Sequence, residues 1–219
     1  MEAESDLVQE LKTEENLQAF IFAQMKEGAD KPTIVQNLIK MGIDENEAPI
    51  LCDRIQAQII EDVKKEQFTS THLITAAAGG LLAATVCGVI WGLIVIATEY
   101  EIGYMAWGVG FVAGFAVLLF SGYKRGVPLQ VIAVASSVLG IIIGKYLTFF
   151  HFLKEAVAEE HGAETASNIS AISVDTIQLF FQNIIAMSHP LDILWIVFAV
   201  ATAWRIPKGS GIKIDSDLT

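Results

Sequence analysis

The stretch GLLAATVCGVIWG, residues 80–92, carries no charge and places Gly80, Ala84, Gly88 and Gly92 four residues apart. Four residues is slightly more than one turn of α-helix, so these positions stack along one face. Lipid tails are as apolar as leucine, so helices in a bilayer associate by close van der Waals packing. Small residues let their backbones approach. The pattern returns twice, as Ala106, Gly110 and Gly114, and as Ser136, Gly140 and Gly144. The three ladders predict an all-α, polytopic membrane protein whose helices pack tightly and self-associate through these small-residue faces.

Working outward, about 20 apolar residues are needed to cross ~30 Å of hydrocarbon. Leu73–Ala97, Ile102–Phe120 and Pro128–Phe149 read as three spans, and the shorter Leu191–Trp204 as a fourth, with Asp192 at its start behind His189-Pro190. Cationic loops stay on the cytoplasmic side of a membrane. With four spans, Lys64, Lys65, Lys124, Arg125, Arg205, Lys208 and Lys213 share one side, and Glu99, Glu101, Glu155, Glu159, Glu160 and Glu164 the other. Both termini are therefore expected in the cytoplasm. Tyr100, Tyr104, Trp107, Tyr123, Tyr146, Trp195 and Trp204 fall near the expected interfaces, where amphipathic rings anchor.

The composition agrees. Apolar residues make up 53% of the 219 and charged ones 18%, with mean hydropathy +0.50. A soluble domain carries closer to about a quarter charged residues. Residues 1–68 hold 15 acidic and 7 basic side chains, net −8, and the remainder 10 and 7, net −3. This shift divides the chain into a cytoplasmic helical segment (1–68), a membrane domain (69–207) and a flexible cytoplasmic tail (208–219). The acidity argues against nucleic-acid partners, which require a basic face. The opening MEAESDLVQE has no apolar core, so the first span is expected to serve as the insertion signal.

Apolar spacing in the first segment predicts three short helices, or a helical hairpin, stopped at Gly28 and Gly42. Asp44 is placed as N-cap of the third, with Glu47 three residues on as in a capping box. The run IVQNLIKMGIDENEA, residues 34–48, resembles the helix–Met-Gly–helix turn of ubiquitin-associated-like three-helix modules; a hairpin packed on itself or on a sister chain is the plainer reading. Between the third and fourth spans, HFLKEAVAEEHG is expected to continue the third helix outward. Ile177, Phe180, Phe181, Ile184 and Ile185 then suggest an interfacial helix over about 174–188, with a re-entrant helix as the alternative.

Residues suited to chemistry are few. Lys145 is the basic group well inside an apolar span, where a charge is costly unless it snorkels or pairs. Asp192 should lie at a similar depth, so an ion pair or ion pathway at Lys145 and Asp192 is the candidate site. Cys52 and Cys87 sit in different segments and form no metal spacing. His72, His151, His161 and His189 have no ligand pattern, and a solvated acidic helix explains Glu155, Glu159 and Glu160. Ser136, Ser137, Ser170 and Ser173 lack the surroundings of a nucleophile. Gly108, Gly110 and Gly114 lie inside a span and do not match a dinucleotide loop. Asn168-Ile169-Ser170 matches a glycosylation sequon. No catalytic residue, metal site or cofactor is expected.

YEIGYMAWGVGFVAGFAV and HPLDILWIVFAVATAWRIP resemble bacterial four-span membrane proteins of unknown function, over roughly residues 99–207. The resemblance implies a topology in the bacterial inner membrane and no activity. The expectation is a non-enzymatic, self-associating membrane protein with the bilayer, its own copies and a cytoplasmic protein as partners. The alternative is an oligomeric channel or small transporter with its site near Lys145 and Asp192.

Overall fold

The computed structural model describes residues 13–100, 103–186 and 190–212. Among these there is no strand, and the helices are α1 (Glu14–Lys26), α2 (Lys31–Lys40), α3 (Glu47–Glu66), α4 (Ser70–Thr98), α5 (Tyr104–Phe120), α6 (Val127–His161), α7 (Ala163–Ser167), α8 (Val174–Asn183) and α9 (Pro190–Arg205). Contacts divide the chain into two units. One is the N-terminal segment to Gln67 together with the chain from Ser210; the other is Phe68–Gly209.

In the first unit, α2 starts cleanly because Asp30 accepts a hydrogen bond from the Thr33 N–H (3.3 Å) and Pro32 sits in the first turn, where its missing donor costs nothing. α1 and α2 end in Schellman turns. Gly28 N–H donates to the Met25 carbonyl and Ala29 N–H to Gln24; Gly42 N–H donates to Ile39 and Ile43 N–H to Leu38. Both glycines have positive φ, +82° and +86°, which a Cβ would penalise. Leu17, Ile21, Ile34, Leu38, Cys52, Ile55 and Ile59 then meet in one buried core. Full burial of such aliphatic side chains contributes about 1.5–3 kcal/mol each. Asn37 Nδ2 donates to Gln24 Oε1 (3.2 Å), joining α2 to α1.

The sequence expectation is corrected here in two places. Asp44 is not the N-cap of α3: its carboxylate accepts from the Asn46 N–H (2.8 Å), folding a local turn, and the helix begins two residues later. Nor is the chain free from residue 208 on. Ser210 N–H donates to Glu66 (2.9 Å), and Ile212 packs on the core just described. The expected tail beyond lies outside the described residues.

The second unit is a bundle of α4, α5, α6 and α9. Thr69 N–H donates to His72 Nδ1 (3.0 Å) at the start of α4, satisfying one donor of its first turn. α4 and α6 have 29 and 35 residues and are long and apolar enough to cross a membrane. α5 and α9 have 17 and 16. At 1.5 Å per residue they reach only ~26 and ~24 Å, so length and composition mark two spanning helices rather than four. At one end of the bundle, the turn between α5 and α6 clasps the end of α9. Arg125 donates to the Ile206 and Lys208 carbonyls (3.2 and 3.3 Å), Gly126 N–H to Pro207 (2.9 Å) and Gln130 Nε2 to Trp204 (2.8 Å). Carbonyls in the last turn of α9 and just beyond it are thereby satisfied by a cation and two amides.

At the other end, α6 continues to His161, as HFLKEAVAEEHG suggests. α8 lies against it through Phe180, whose ring contacts Tyr146 (centroids 5.2 Å) and Phe149 (5.5 Å). Tyr146 also donates from its hydroxyl to the Ala171 carbonyl. α8 ends at Asn183, earlier than the expected 188; His189 lies outside the described residues, as does Glu101.

Candidate functional site

Each small-residue ladder meets a partner inside the same chain. A Cβ on Gly80 would strike Ser136 Oγ. One on Gly88 would lie 2.5 Å from the Gly140 carbonyl, and one on Gly92 3.2 Å from that of Gly144. Gly140 in turn faces the Ala84 backbone (3.1 Å), and Gly144 the Trp91 ring (2.8 Å). The first and third ladders are therefore two sides of one contact between α4 and α6. Residue numbers rise together along it, so these two helices run parallel. Gly110 abuts the Ala199 backbone and Gly114 lies 3.2 Å from Ala203 Cα, which joins α5 to α9 in the same parallel sense. Ala106 packs beside Trp91, Val95 and Ala199. Helix faces expected to pack within the chain, between chains or both meet partners inside the chain itself.

The bulky side chains point the other way. Leu81, Leu82, Ile90 and Leu93 of α4 are each at least half exposed, as are Phe111 of α5, Val131 of α6 and Val197 of α9. A long apolar helix in the core of a soluble protein buries such residues. Here the glycines and alanines of the ladders are inside with a few large residues such as Trp91, Leu129 and Ile141, while many of the large ones are outside.

The candidate polar site lies on the seam between α6 and α9. Gln130, Ser137 and Lys145 are spaced seven and eight apart, hence on one face of α6. Lys145 Nζ stands 3.1 Å from Asp192 Oδ2, each side chain 11% exposed. Asp192 is in the first turn of α9, where unpaired backbone N–H groups favour a carboxylate. A Cβ on Gly103 would lie 3.4 Å from Asp192 Oδ1 and 2.6 Å from Trp195, so only glycine lets the chain entering α5 come this close. Ser137 is fully buried, and its Oγ has no hydrogen-bond partner among the described residues. The same is true of Trp91 Nε1, in the cluster with Ile141 and Ala199. Farther along, Trp107 Nε1 donates to Thr202 Oγ1 (2.9 Å), tying α5 to α9.

A pair this buried gives modest net stability compared with two apolar groups, because desolvation offsets most of the attraction. Loss of one partner is costly, since the other charge stays buried alone. The pair joins the first turn of α9 to α6. Sequence reasoning missed Gln130, although it was visible as a polar residue one heptad before Ser137. It also missed Gly103 and the Trp107–Thr202 bond, since neither has a local pattern. Elsewhere, no three His, Cys, Asp or Glu side chains converge among the described residues. Both cysteines are free thiols, Cys52 in the first unit's core and Cys87 half-buried on α4.

No protein-family model, curated protein or solved structure matches this chain.

Proposed function

We propose that this is a non-enzymatic integral membrane protein. Its four apolar helices cross the bilayer, and its N-terminal helices form a cytoplasmic unit for protein interaction. The observation that carries this reading is the outer face of the bundle: glycine and alanine pack inside together with a few large residues such as Trp91, Leu129 and Ile141, while many leucines, isoleucines and phenylalanines are exposed. An exposed apolar surface of that extent suits lipid and not water. Helix direction supports more crossings than the two long helices alone. α4 and α6 are parallel, so the chain must return between them. α5 is the segment that does so, its 17 residues accommodated by local thinning or by flanking aromatic anchors. The positive loops then share the cytoplasmic face. The resemblance at residues 99–207 points to the inner membrane of a bacterium. Self-association, on this reading, uses the bulky outer faces or the N-terminal unit, since the ladders are occupied.

Single cysteines at Leu81, Phe111, Val131 and Val197, in a chain with Cys52 and Cys87 replaced by serine, test this. In sealed vesicles these positions should resist a water-soluble maleimide, while cysteines at Thr71 and Lys124 should react from the cytoplasmic side. Ready labelling of the first four would remove the membrane reading.

A second reading, an oligomeric channel or small transporter working at Lys145 and Asp192, is favoured by the unpartnered Ser137 hydroxyl on the same helix face. Ion or solute flux into proteoliposomes that disappears on Ser137→Val would support it; flux absent from the native chain would remove it.

A further inference from the structure

α8 carries three stripes of different chemistry. Thr176 and Phe180, four residues apart, are buried, and the Phe180 ring meets Tyr146 and Phe149 of α6. Val174, Ile177 and Phe181, three and four apart, form a second stripe that is apolar and open: Val174 is 77% exposed and Phe181 56%. Beside it run Asp175, Gln178 and Gln182, all exposed. We propose that the open apolar stripe lies in the outer leaflet of the bilayer, where acyl chains meet headgroups, and that apolar burial alone holds it there, whatever the charge of the lipid.

Depth is the first reason for lipid as the partner. α6 begins at Val127, directly after Lys124 and Arg125. Tyr146 and Phe149 lie 19 and 22 residues farther on, or about 28–33 Å along the helix. The hydrocarbon layer is ~30 Å thick, so the ring contacts seat Phe180 at its outer edge. The Tyr146 hydroxyl donates to the Ala171 carbonyl and holds the chain entering α8 at the same level. Lys154, Glu155, Glu159 and Glu160 follow on α6, beyond that level. Continuity is the second reason. Ile185, just past α8, and Ile193 of α9 line one cleft and are both exposed, so the open surface runs on into the outer face of the bundle. The third is charge. A helix lying in the interface sinks its apolar face into the boundary between headgroups and acyl chains. Attraction to anionic lipid would require lysine or arginine beside that face. VDTIQLFFQN has neither and carries one carboxylate, so the apolar stripe is the whole of its attraction.

The inference rests on the membrane reading, and its test is separate from that one. Single cysteines replace Val174, Phe181, Gln178 or Gln182 in the full chain lacking Cys52 and Cys87, and each carries an environment-sensitive dye. The labelled chains are placed in nanodiscs of dioleoylphosphatidylcholine, which leave both faces of the bilayer open to solutes. Dyes at Val174 and Phe181 should be quenched by a lipid bearing a doxyl group near its carbonyl. Aqueous iodide should quench them roughly fivefold less than dyes at Gln178 and Gln182. Both results should persist when dioleoylphosphatidylglycerol is mixed in at equal amount. Val174 is exposed enough that its replacement removes little packing, so it carries the test alone should Phe181→Cys not fold. Iodide quenching at Val174 as strong as at Gln182 overturns the proposal and leaves the stripe to a protein partner. Lipid quenching that appears only with phosphatidylglycerol overturns it too. If cysteines at Leu81, Phe111, Val131 and Val197 still resist maleimide, either failure leaves the membrane reading intact.

Discussion

Gly108 and Gly110 lie two residues apart on α5 and should respond oppositely to the same substitution. A Cβ added at Gly108 meets nothing within 4 Å; one added at Gly110 would lie 2.6 Å from Ala199 Cα and 2.7 Å from its carbonyl carbon. Ordinary carbon contacts are ~3.5–4.0 Å, so α5 and α9 would have to part by about 1 Å. A gap of that size forfeits up to about half of each dispersion contact along the seam. The expected overpacking cost is about 1–3 kcal/mol. Replacing glycine by alanine in a helix also gains up to ~1 kcal/mol of intrinsic propensity. That gain is common to both variants, so the difference between Gly110→Ala and Gly108→Ala isolates the steric part. At roughly 2–4 °C per kcal/mol for a chain of this size, Gly110→Ala should melt a few degrees below Gly108→Ala. The assay is reversible thermal unfolding in mixed micelles at a fixed fraction of dodecyl sulfate, followed by far-UV dichroism. Because the atoms nearest Gly110 are backbone, Ala199→Gly should not rescue Gly110→Ala. At Gly79 the obstruction is the Phe120 side chain, including its Cβ at 2.6 Å, so Phe120→Gly should rescue Gly79→Ala more fully than Phe120→Ala does. Equal stability of the Gly108 and Gly110 variants would refute the intrachain assignment of this ladder. A larger loss at Gly108 would mean that its open face meets a second copy.

Lys145→Met alone should destabilise the micelle-bound chain by about 3–5 kcal/mol, because the buried Asp192 carboxylate is left uncompensated. Lys145→Met with Asp192→Leu should return most of this, and strict additivity in the double-mutant cycle would show that the two do not interact. Gly42→Ala should cost about 1–2 kcal/mol from its positive φ, read as a shifted urea midpoint, with Gly42→Asn milder. The Thr33 hydroxyl and N–H donate to Asp30 and hold its carboxyl below the usual range. A carboxylate lowered by folding adds stability above its unfolded pKa, near ~4, and loses it as the pH falls through the folded value. Acid titration should therefore weaken the native chain more steeply below pH ~4 than it weakens Asp30→Asn, and matching slopes would contradict that bond.

Helix positions were legible because each depends on local signals. Uncharged runs located α4, α5, α6 and α9 within a few residues, and the positive-φ glycines at 28 and 42 ended α1 and α2 where expected. The ladders announced close approach but not its partner. Gly88 has the same neighbours in sequence whether it faces Gly140 of its own chain or another copy, and only the folded bundle distinguishes them. Lys145 stood out by being charged in an apolar run, and Asp192 by marking a helix start. Gln130 and Gly103 act through the ends of α9, sequence-distant and set by tertiary packing, so nothing near them reveals the role.

One further consequence follows from the short segment 210–212. The chain leaves the N-terminal unit at Gln67 and rejoins that same unit at Ser210. A bilayer separates space into two halves, and a path that starts and finishes on one folded body has crossed the sheet an even number of times. On the proposed membrane reading, with α4, α5 and α6 each crossing once, the count would be odd unless α9 crossed too, short as it is. On that reading, the hydrogen bond from Ser210 to Glu66 would constrain a topology that α9's own 16 residues leave open.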